Sequence, residues 1–434
     1  MKQPAPGEAP GTTLINAPKR LTVVLMAVLA AAAYAGPPPG AQIVRAGNSF
    51  GFRLLSSVLA RQPWRNTVIS PTSVTLALAM AWNGAKGETQ DSMARALGYP
   101  DIEPDVINIA NSALLALLQS HGPQEQLEIA NSLWVRNGVP LAQDYIQTCE
   151  DFYDAKLAAL DFGDPKSVDL INNWVRQKTH DRIQGIVPQL DVRDVLILVN
   201  AVYFKAQWSR QFDPNLTREQ DFYLPSGGVR PTKMMRTRGE YQYYASSRFQ
   251  LVRLPYGDGR FSMLVFLPVR LEPEEPTKDD QGNVTNAHLA KAVWDLVERM
   301  NLETWQRWQD SMTTVEAEIV LPRLKLEYEE ALGPALSELG MSIAFDPTRA
   351  DFSGMLPAPI DMPFYLNEVL HKTFIEVNEE GTEAAAVTSI KKEAGAASGR
   401  QPFLVVVNRP FLFAIVDNKS AAVLLLATVF DPGA

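Results

Sequence analysis

The run from Leu196 to Trp208 constrains the fold more than any other feature of this sequence, because its first nine residues are apolar except for Asn200. A strand with apolar side chains on both faces belongs at the centre of a sheet that is covered on both sides. An unpaired buried amide costs about 1–3 kcal/mol, so Asn200 must find hydrogen-bond partners there. The run therefore predicts a central strand with one polar contact in its middle.

A long segment, Glu379–Arg400, lies between two predicted strands, Phe364–Val377 and Phe403–Val407. Its Ala, Gly, Ser and Lys content is typical of a flexible linker, although long loops in compact domains are also often functional. Residues Ala384–Ser389, however, are all small or β-branched, uncharged and not proline. As a strand, the segment would place Thr382 and every second residue after it on one face. This favours a loop that is exposed in one state and inserted into a sheet in another.

The first residues of this loop resemble the hinge of inhibitory members of the serpin family. They are Glu379, Glu380, Gly381, Thr382, Glu383, Ala384, Ala385 and Ala386. The run Asn408–Phe411 resembles the family signature that follows the reactive loop. Further residues resemble the family's shutter, which lies under the main sheet, and its breach, where the loop first enters. The shutter residues are Ser70, Ser73, Asn200 and His371, and the breach residue is Trp208.

The resemblance covers roughly residues 48–432 and implies an α+β serpin fold, with about three β-sheets, eight or nine helices and an exposed reactive-centre loop. Because no Gly/Ser- or Pro-rich linker divides the chain, residues 48–434 are predicted to form a single domain. Residues 36–47 are predicted to be a flexible mature terminus. Residues 1–35 are predicted to be an N-terminal extension and a signal peptide.

The signal-peptide prediction rests on the apolar run Leu21–Ala33, which follows Lys19 and Arg20 and ends in an Ala-Tyr-Ala site before Gly36. An uncleaved membrane anchor is the alternative, but thirteen apolar residues are short for a membrane span. We therefore expect a secreted protein, extracellular or periplasmic, that does not contact a membrane after the signal is removed.

Composition and charge limit the partners. The net charge of −9 without a basic block argues against nucleic acid. Residues 102–126, which include a predicted helix over Ile102–Gln119, contain no Lys or Arg, so activation of the heparin type through this helix is not expected. The single cysteine, Cys149, excludes an internal disulfide. No cofactor or metal is implied, and a monomer is expected.

Enzyme chemistry is not indicated. The histidines His121, His180, His288 and His371 are scattered, and no metalloprotease, hydrolase or phosphate-loop motif is present. Ser389 and Lys392 form a Ser-x-x-Lys match, but the Lys-Thr-Gly strand that accompanies this motif in penicillin-binding enzymes is absent. The match is interpreted as chance.

The resemblance implies a serine protease inhibitor that acts as a suicide substrate, with insertion of the segment that begins at Thr382 after the loop is cut. The family's spacing from Gly381 places the reactive bond at Gly395 and Ala396, with Ala394 and Ala397 as alternatives. Small residues at this position suit a protease of the elastase or subtilisin type. The alternative is a non-inhibitory serpin that acts as a binding protein or chaperone, but the permissive hinge residues favour an inhibitor.

Local patterns predict several further elements. Helices are expected over Ala41–Arg61 and from Ser70–Pro71 to Gly84, and a strand is expected over Leu127–Val135. Gly257–Gly259 is predicted to be the turn of a hairpin. A helix is expected over Tyr328–Leu339, ended by Gly340. Leu271–His288 is predicted to be an acidic surface insertion.

Overall fold

A computed structural model describes residues 39–99, 102–119, 125–269, 277–278, 284–382 and 403–433. Within these residues the α-helices are α1 (Pro39–Arg61), α2 (Pro71–Gly84), α3 (Gly87–Leu97), α4 (Pro104–Gln119), α5 (Gln143–Tyr153), α6 (Lys166–Lys178), α7 (Ala287–Glu298), α8 (Leu302–Asp310) and α9 (Gly333–Leu336). None of these helices is long and apolar enough to span a membrane.

The described strands are β1 (Thr67–Ile69), β2 (Glu125–Arg136), β3 (Lys156–Leu160), β4 (Leu196–Gln207), β5 (Arg218–Tyr223), β6 (Val229–Ala245), β7 (Phe249–Pro255), β8 (Phe261–Pro268), β9 (Thr277–Lys278), β10 (Val284–Thr285), β11 (Thr313–Pro322), β12 (Leu324–Ala331), β13 (Glu368–Val377), β14 (Gly381–Thr382), β15 (Phe403–Val406), β16 (Phe411–Asp417) and β17 (Val423–Val429). They form a nine-stranded sheet, a six-stranded sheet and a two-stranded ribbon. The α+β class and the approximate numbers of sheets and helices are thus confirmed.

The six-stranded sheet carries the site, and its strand order is β12-β13-β14-β4-β2-β3. The predicted central strand is confirmed as β4. Leu198 and Val202 face the main core, whereas Ile197 and Val199 face a second core that is closed by α6. Alternate residues therefore supply both cores, which explains why this strand is apolar on both faces.

The hairpin predicted around Gly257–Gly259 is confirmed, because β7 and β8 pair on either side of it. Gly257 and Gly259 have φ of 49° and 92°, the left-handed region that glycine adopts without steric cost. The turn brings residue Tyr256 beside the end of β4, where an isolated bridge joins it to Trp208.

The N-terminal boundary differs from the prediction. Helix α1 begins at Pro39 and buries Ile43 and Val44, so residues 39–47 belong to the domain rather than to the flexible terminus predicted for 36–47. The physical reason is that these two apolar side chains pack against the main core. The predicted extension and signal peptide, residues 1–35, lie outside the described residues.

The helix predicted over Tyr328–Leu339 is wrong at its start, because residues 324–331 form strand β12. Burial there alternates, with Leu324, Leu326 and Tyr328 inside and the residues between them exposed. This period of two is the signature of a half-buried strand, and it outweighs the helix propensity of the glutamates. The short helix α9 and a turn with Gly340 at φ of 99° follow.

The predicted surface insertion, residues 271–288, lies largely outside the described residues. Its described parts are the ribbon β9–β10 and the first turn of α7, which begins at Ala287. Residues 287 and 288 of the predicted insertion therefore belong to helix α7.

Candidate functional site

The shutter residues meet in one buried hydrogen-bond network. His371 on β13 lies beside Asn200 on β4, where the two strands pair directly and in parallel. The Nδ1 atom of His371 lies 2.6 Å from Oδ1 of Asn200, and its Nε2 atom accepts the backbone N–H of Ser70 at 3.1 Å. The side-chain amide of Asn200 donates to Oδ1 of Asn131 at 2.5 Å and to the hydroxyl of Ser73. The predicted partners of Asn200 are therefore present.

The network fixes the protonation of His371. Its Nε2 atom faces a donor, so the ring proton must lie on Nδ1, where it is donated to Asn200. Burial lowers the pKa of His371 from 6.5 to about 3. The imidazole is thus a neutral polar link between β13, β4 and the start of α2.

Ser70 has two functions in this network. Its hydroxyl caps α2 by accepting the backbone N–H of Ser73 at 3.3 Å, and Pro71 occupies the first turn. Its own backbone N–H donates to His371. Ser70 therefore caps the helix and also bonds the helix start directly to the sheet.

At the breach the same two strands separate and admit β14. The parallel pairing of β13 with β4 extends to Phe374 opposite Tyr203. Beyond it, Thr382 pairs antiparallel with Val377 of β13 and with Ala206 of β4. The hinge residues Gly381 and Thr382 thus already form a short strand, β14, within the sheet.

The side chain of Thr382 lies in a closed aromatic environment. Its exposed fraction is 0%, and its hydroxyl lies 2.7 Å from the hydroxyl of Tyr256. The Tyr256 ring stacks on Trp208 with centroids 4.2 Å apart and planes at 11°. The Trp208 indole donates to the backbone carbonyl of Asn378 at 2.9 Å. Trp208 therefore lies beside the residues that resemble the hinge.

Glu379 anchors the turn that precedes β14. Its carboxylate accepts the Nε of Arg323 at 2.8 Å and the hydroxyl of Thr217 at 2.6 Å. Burial by itself would raise the pKa of Glu379, but the hydrogen bonds from Arg323 and Thr217 outweigh it and lower the pKa. The backbone carbonyls of Glu379 and Glu380 accept the N–H groups of Phe212 and Trp208. The turn is thus held on both sides.

Gly381 is the position with no room for a side chain. A Cβ atom there would overlap the carbonyl oxygen of Ala206 and lie 2.6 Å from Cα of Gln207. The strand β14 can approach β4 this closely only because position 381 is glycine.

Sequence reasoning missed Tyr256, Arg323 and Thr217. Each contacts a hinge residue from a position between 56 and 162 residues away in the chain. The weak signal available was an aromatic residue, Tyr256, directly before a hairpin turn. The remaining predicted site residues lie outside the described residues: Glu383, Ala384, Ala385, Ala386, Ala394, Gly395, Ala396 and Ala397.

Several known proteins are similar to this chain in sequence and structure. A family model described as "Serpin (serine protease inhibitor)" matches residues 45–432. Human Serpin B9 is 33% identical over 395 residues, which cover 89% of this chain and 98% of that protein. The native structure of the thermophilic serpin Tengpin is 30% identical, has a TM-score of 0.78 and matches 89% of this chain and 94% of its own. Human thyroxine-binding globulin in complex with thyroxine, at 22% identity and a TM-score of 0.79 over 91% of this chain and 99% of that chain, shares the fold.

Proposed function

This chain belongs to the serpin family, whose members are mostly protease inhibitors rather than enzymes, and on that premise we propose that it is an inhibitory member that traps a serine protease. The protease would cut the 379–400 loop as a substrate and remain attached to it. The hinge segment would then insert as a new strand between β13 and β4. Reactive-loop insertion of this kind is a known form of strand addition to a sheet.

The observation that carries the proposal is strand β14. Thr382 pairs with both β13 and β4, and Gly381 pairs with β4, so the two strands are already parted at the end where a longer strand would enter. Each inserted residue costs about 1–2 kcal/mol of backbone entropy, and each ladder hydrogen bond returns about 0.5–1.5 kcal/mol. Packing and relief of strain in the native fold must therefore supply the rest.

The chemistry belongs to the protease. Its serine attacks the carbonyl carbon of Gly395, the Gly395–Ala396 bond breaks, and the amine of Ala396 leaves with the proton delivered by the protease histidine. The ester on Gly395 would normally be hydrolysed by water. Insertion of the loop would carry the protease across the sheet and distort its active site before that step, so this chain needs no catalytic group.

The proposed target is an elastase- or subtilisin-like protease, because Ala394 or Ala396 at the cut would suit a small, shallow pocket, whereas Gly395 fits any pocket but fills none. Trypsin-like proteases would select Lys391, Lys392 or Arg400. A cut at either lysine leaves less strand to insert, and a cut at Arg400 adds slack before the protease is moved. We expect such enzymes to cut the loop without being trapped.

The test is to incubate the protein with elastase, subtilisin and trypsin and to look for a complex that survives boiling in detergent. The released C-terminal peptide is then sequenced from its N-terminus. A peptide that begins at Gly395, Ala396 or Ala397 supports the proposal, and one that begins at Lys392, Glu393 or Gln401 contradicts it. Cleavage by every protease without any stable complex would favour the non-inhibitory alternative.

We also propose that the protein acts as a secreted monomer without activation of the heparin type. We propose no heparin-type activation because helix α4 contains no Lys or Arg. Heparin should leave the rate of protease inhibition unchanged within a factor of about two. An acceleration of tenfold or more would contradict the proposal.

A further inference from the structure

A pair of buried hydroxyl groups links the hinge to the rest of the fold. The hydroxyls of Thr382 and Tyr256 lie 2.7 Å apart, and neither side chain is exposed. Among the described residues, Thr382 is the hydrogen-bond partner of the Tyr256 hydroxyl. Burial raises the pKa of that hydroxyl, so it stays protonated and able to donate at neutral pH.

The Tyr256 ring is held by contacts with residues outside the hinge. The ring stacks on Trp208 and meets Phe204 edge-on at 5.5 Å. Its backbone N–H donates to the carbonyl of Phe261 at 2.9 Å across the hairpin, and the next N–H, that of Gly257, donates to the carbonyl of Gln207 at 2.8 Å. The hydroxyl is therefore held at a fixed point beside the end of β4.

Withdrawal of the hinge would affect the two hydroxyls unequally. Thr382 would pass into water and regain hydrogen bonds there, whereas the Tyr256 ring would stay packed on Trp208 and Phe204 and its hydroxyl would lose its protein partner. An unsatisfied buried donor is costly, so this asymmetry favours the state in which Thr382 lies within the sheet.

We propose that Tyr256 is a positioning residue for trapping, which holds Thr382 in the sheet of the uncut protein. This rests on the proposed inhibitory function. After cleavage, the outcome is a race between insertion of the loop and hydrolysis of the ester. If the hinge is already paired within the sheet, insertion begins from a formed strand pair and is faster relative to hydrolysis. Fewer inhibitor molecules are then lost as cleaved substrate.

The first experiment needs no protease. Hydrogen exchange is measured by mass spectrometry on peptides that cover residues 377–382 in the wild type, in Tyr256→Phe and in a matched control, Tyr145→Phe. Tyr145 is also buried, and its hydroxyl donates to the carbonyl of Met80, on α2, rather than to the hinge. Exchange should be about tenfold faster in Tyr256→Phe and unchanged in the control. Equal exchange in all three proteins would overturn the inference.

The second experiment measures how many inhibitor molecules are consumed per elastase molecule trapped. Tyr256→Phe should raise this number about threefold or more, while the rate at which the loop is first cut stays within about twofold of the wild type. The double variant Tyr256→Phe/Thr382→Val makes both partners apolar, so it should return most of the way to the wild-type number. A number unchanged in Tyr256→Phe, or a double variant no better than the single one, would overturn the inference.

The two proposals can fail separately. If the wild type forms no complex with any serine protease, the inhibitory function fails, but the exchange experiment still decides whether Tyr256 holds the hinge. If the wild type traps elastase and Tyr256→Phe is equal to it in both experiments, only the role of Tyr256 fails.

Discussion

The shutter lies within the pairing of β13 with β4, the breach lies where that pairing stops, and the two are held by different kinds of contact. At the shutter the strands pair directly, and hydrogen bonds join His371 both to Asn200 and to the backbone N–H of Ser70. At the breach the strands are parted by β14, and the walls are the rings of Trp208 and Tyr256. Hydrogen bonds require specific partners, whereas apolar contacts are not directional. The breach can therefore accept a strand at small cost, and the shutter must exchange its partners before it opens.

The largest effect is expected when a charge is placed at the breach. Thr382→Arg would bury an unpaired guanidinium among aromatic rings, which is prohibitive unless the hinge stays outside the sheet. We expect the variant to fold and be cut but to form no detergent-stable complex. Thr382→Ser, which keeps the hydroxyl, is the control and should trap protease normally. An unchanged yield of complex from the arginine variant would show that the breach does not need to close around residue 382.

Cutting the loop tests the shutter and the breach at once. Full insertion would break the direct pairing at the shutter, and we expect the added strand to more than compensate for that loss. The nicked form should melt at least about 10 °C above the intact form, because each added kcal/mol raises the melting temperature by about 2–4 °C in a domain of moderate size. Calorimetry of the two forms decides this, and a nicked form that melts at or below the intact one would indicate a non-inhibitory member.

Removal of the shutter amide should destabilise the intact protein by about 2–4 kcal/mol. Asn200→Ala leaves the Nδ1–H of His371 and the side chains of Asn131 and Ser73 without a buried partner. Urea unfolding at constant temperature measures the change. The comparison variant at the breach is Thr382→Val, whose effect should be smaller. If the two variants lose the same free energy of unfolding, the shutter does not stabilise the intact protein more than the breach does.

Low pH should weaken the shutter selectively. The pKa of His371 is about 3 in the folded protein, against 6.5 as its ordinary value, so below about pH 6.5 the unfolded chain binds a proton that the folded protein does not. Stability therefore falls as the pH falls from about 6.5 to about 3, by up to about 1.4 kcal/mol per pH unit. Urea titrations of the wild type and His371→Gln isolate this contribution. Parallel pH profiles for the two proteins would exclude it.

The smallest effect is expected at the breach tryptophan. Trp208→Phe keeps a ring against Tyr256 but removes the hydrogen bond to the carbonyl of Asn378. We expect a loss of about 1 kcal/mol, detected as a small drop in the melting temperature. A loss of stability as large as that of Asn200→Ala would mean that hydrogen bonds control the breach as well as the shutter.

The sequence predicted the elements whose signal is local. The apolar run identified β4, the turn glycines identified the β7–β8 hairpin, and Ser70 with Pro71 identified the start of α2. The contacts of the hinge could not be predicted, because Tyr256 and Arg323 reach it from distant parts of the chain. Strand β12 was mistaken in part for a helix, since glutamates at its exposed positions favour helix and only the alternating burial distinguishes the two.

The pairing of β14 also sets a length scale. Thr382 faces Ala206, so each further loop residue that continued this antiparallel register would face the preceding residue of β4. Lys392 would then face Leu196, the first residue of that strand, and Gly395 would come to rest three residues beyond it. At about 3.4 Å per residue, the attached protease would then lie about 44 Å from Thr382 along the sheet. A cut at Lys392 would stop it level with the strand end. Two alanines added before Gly395 should place the trapped protease about 7 Å farther along the sheet. Fluorescence measurement of the distance between labels on the sheet and on the protease would detect this change.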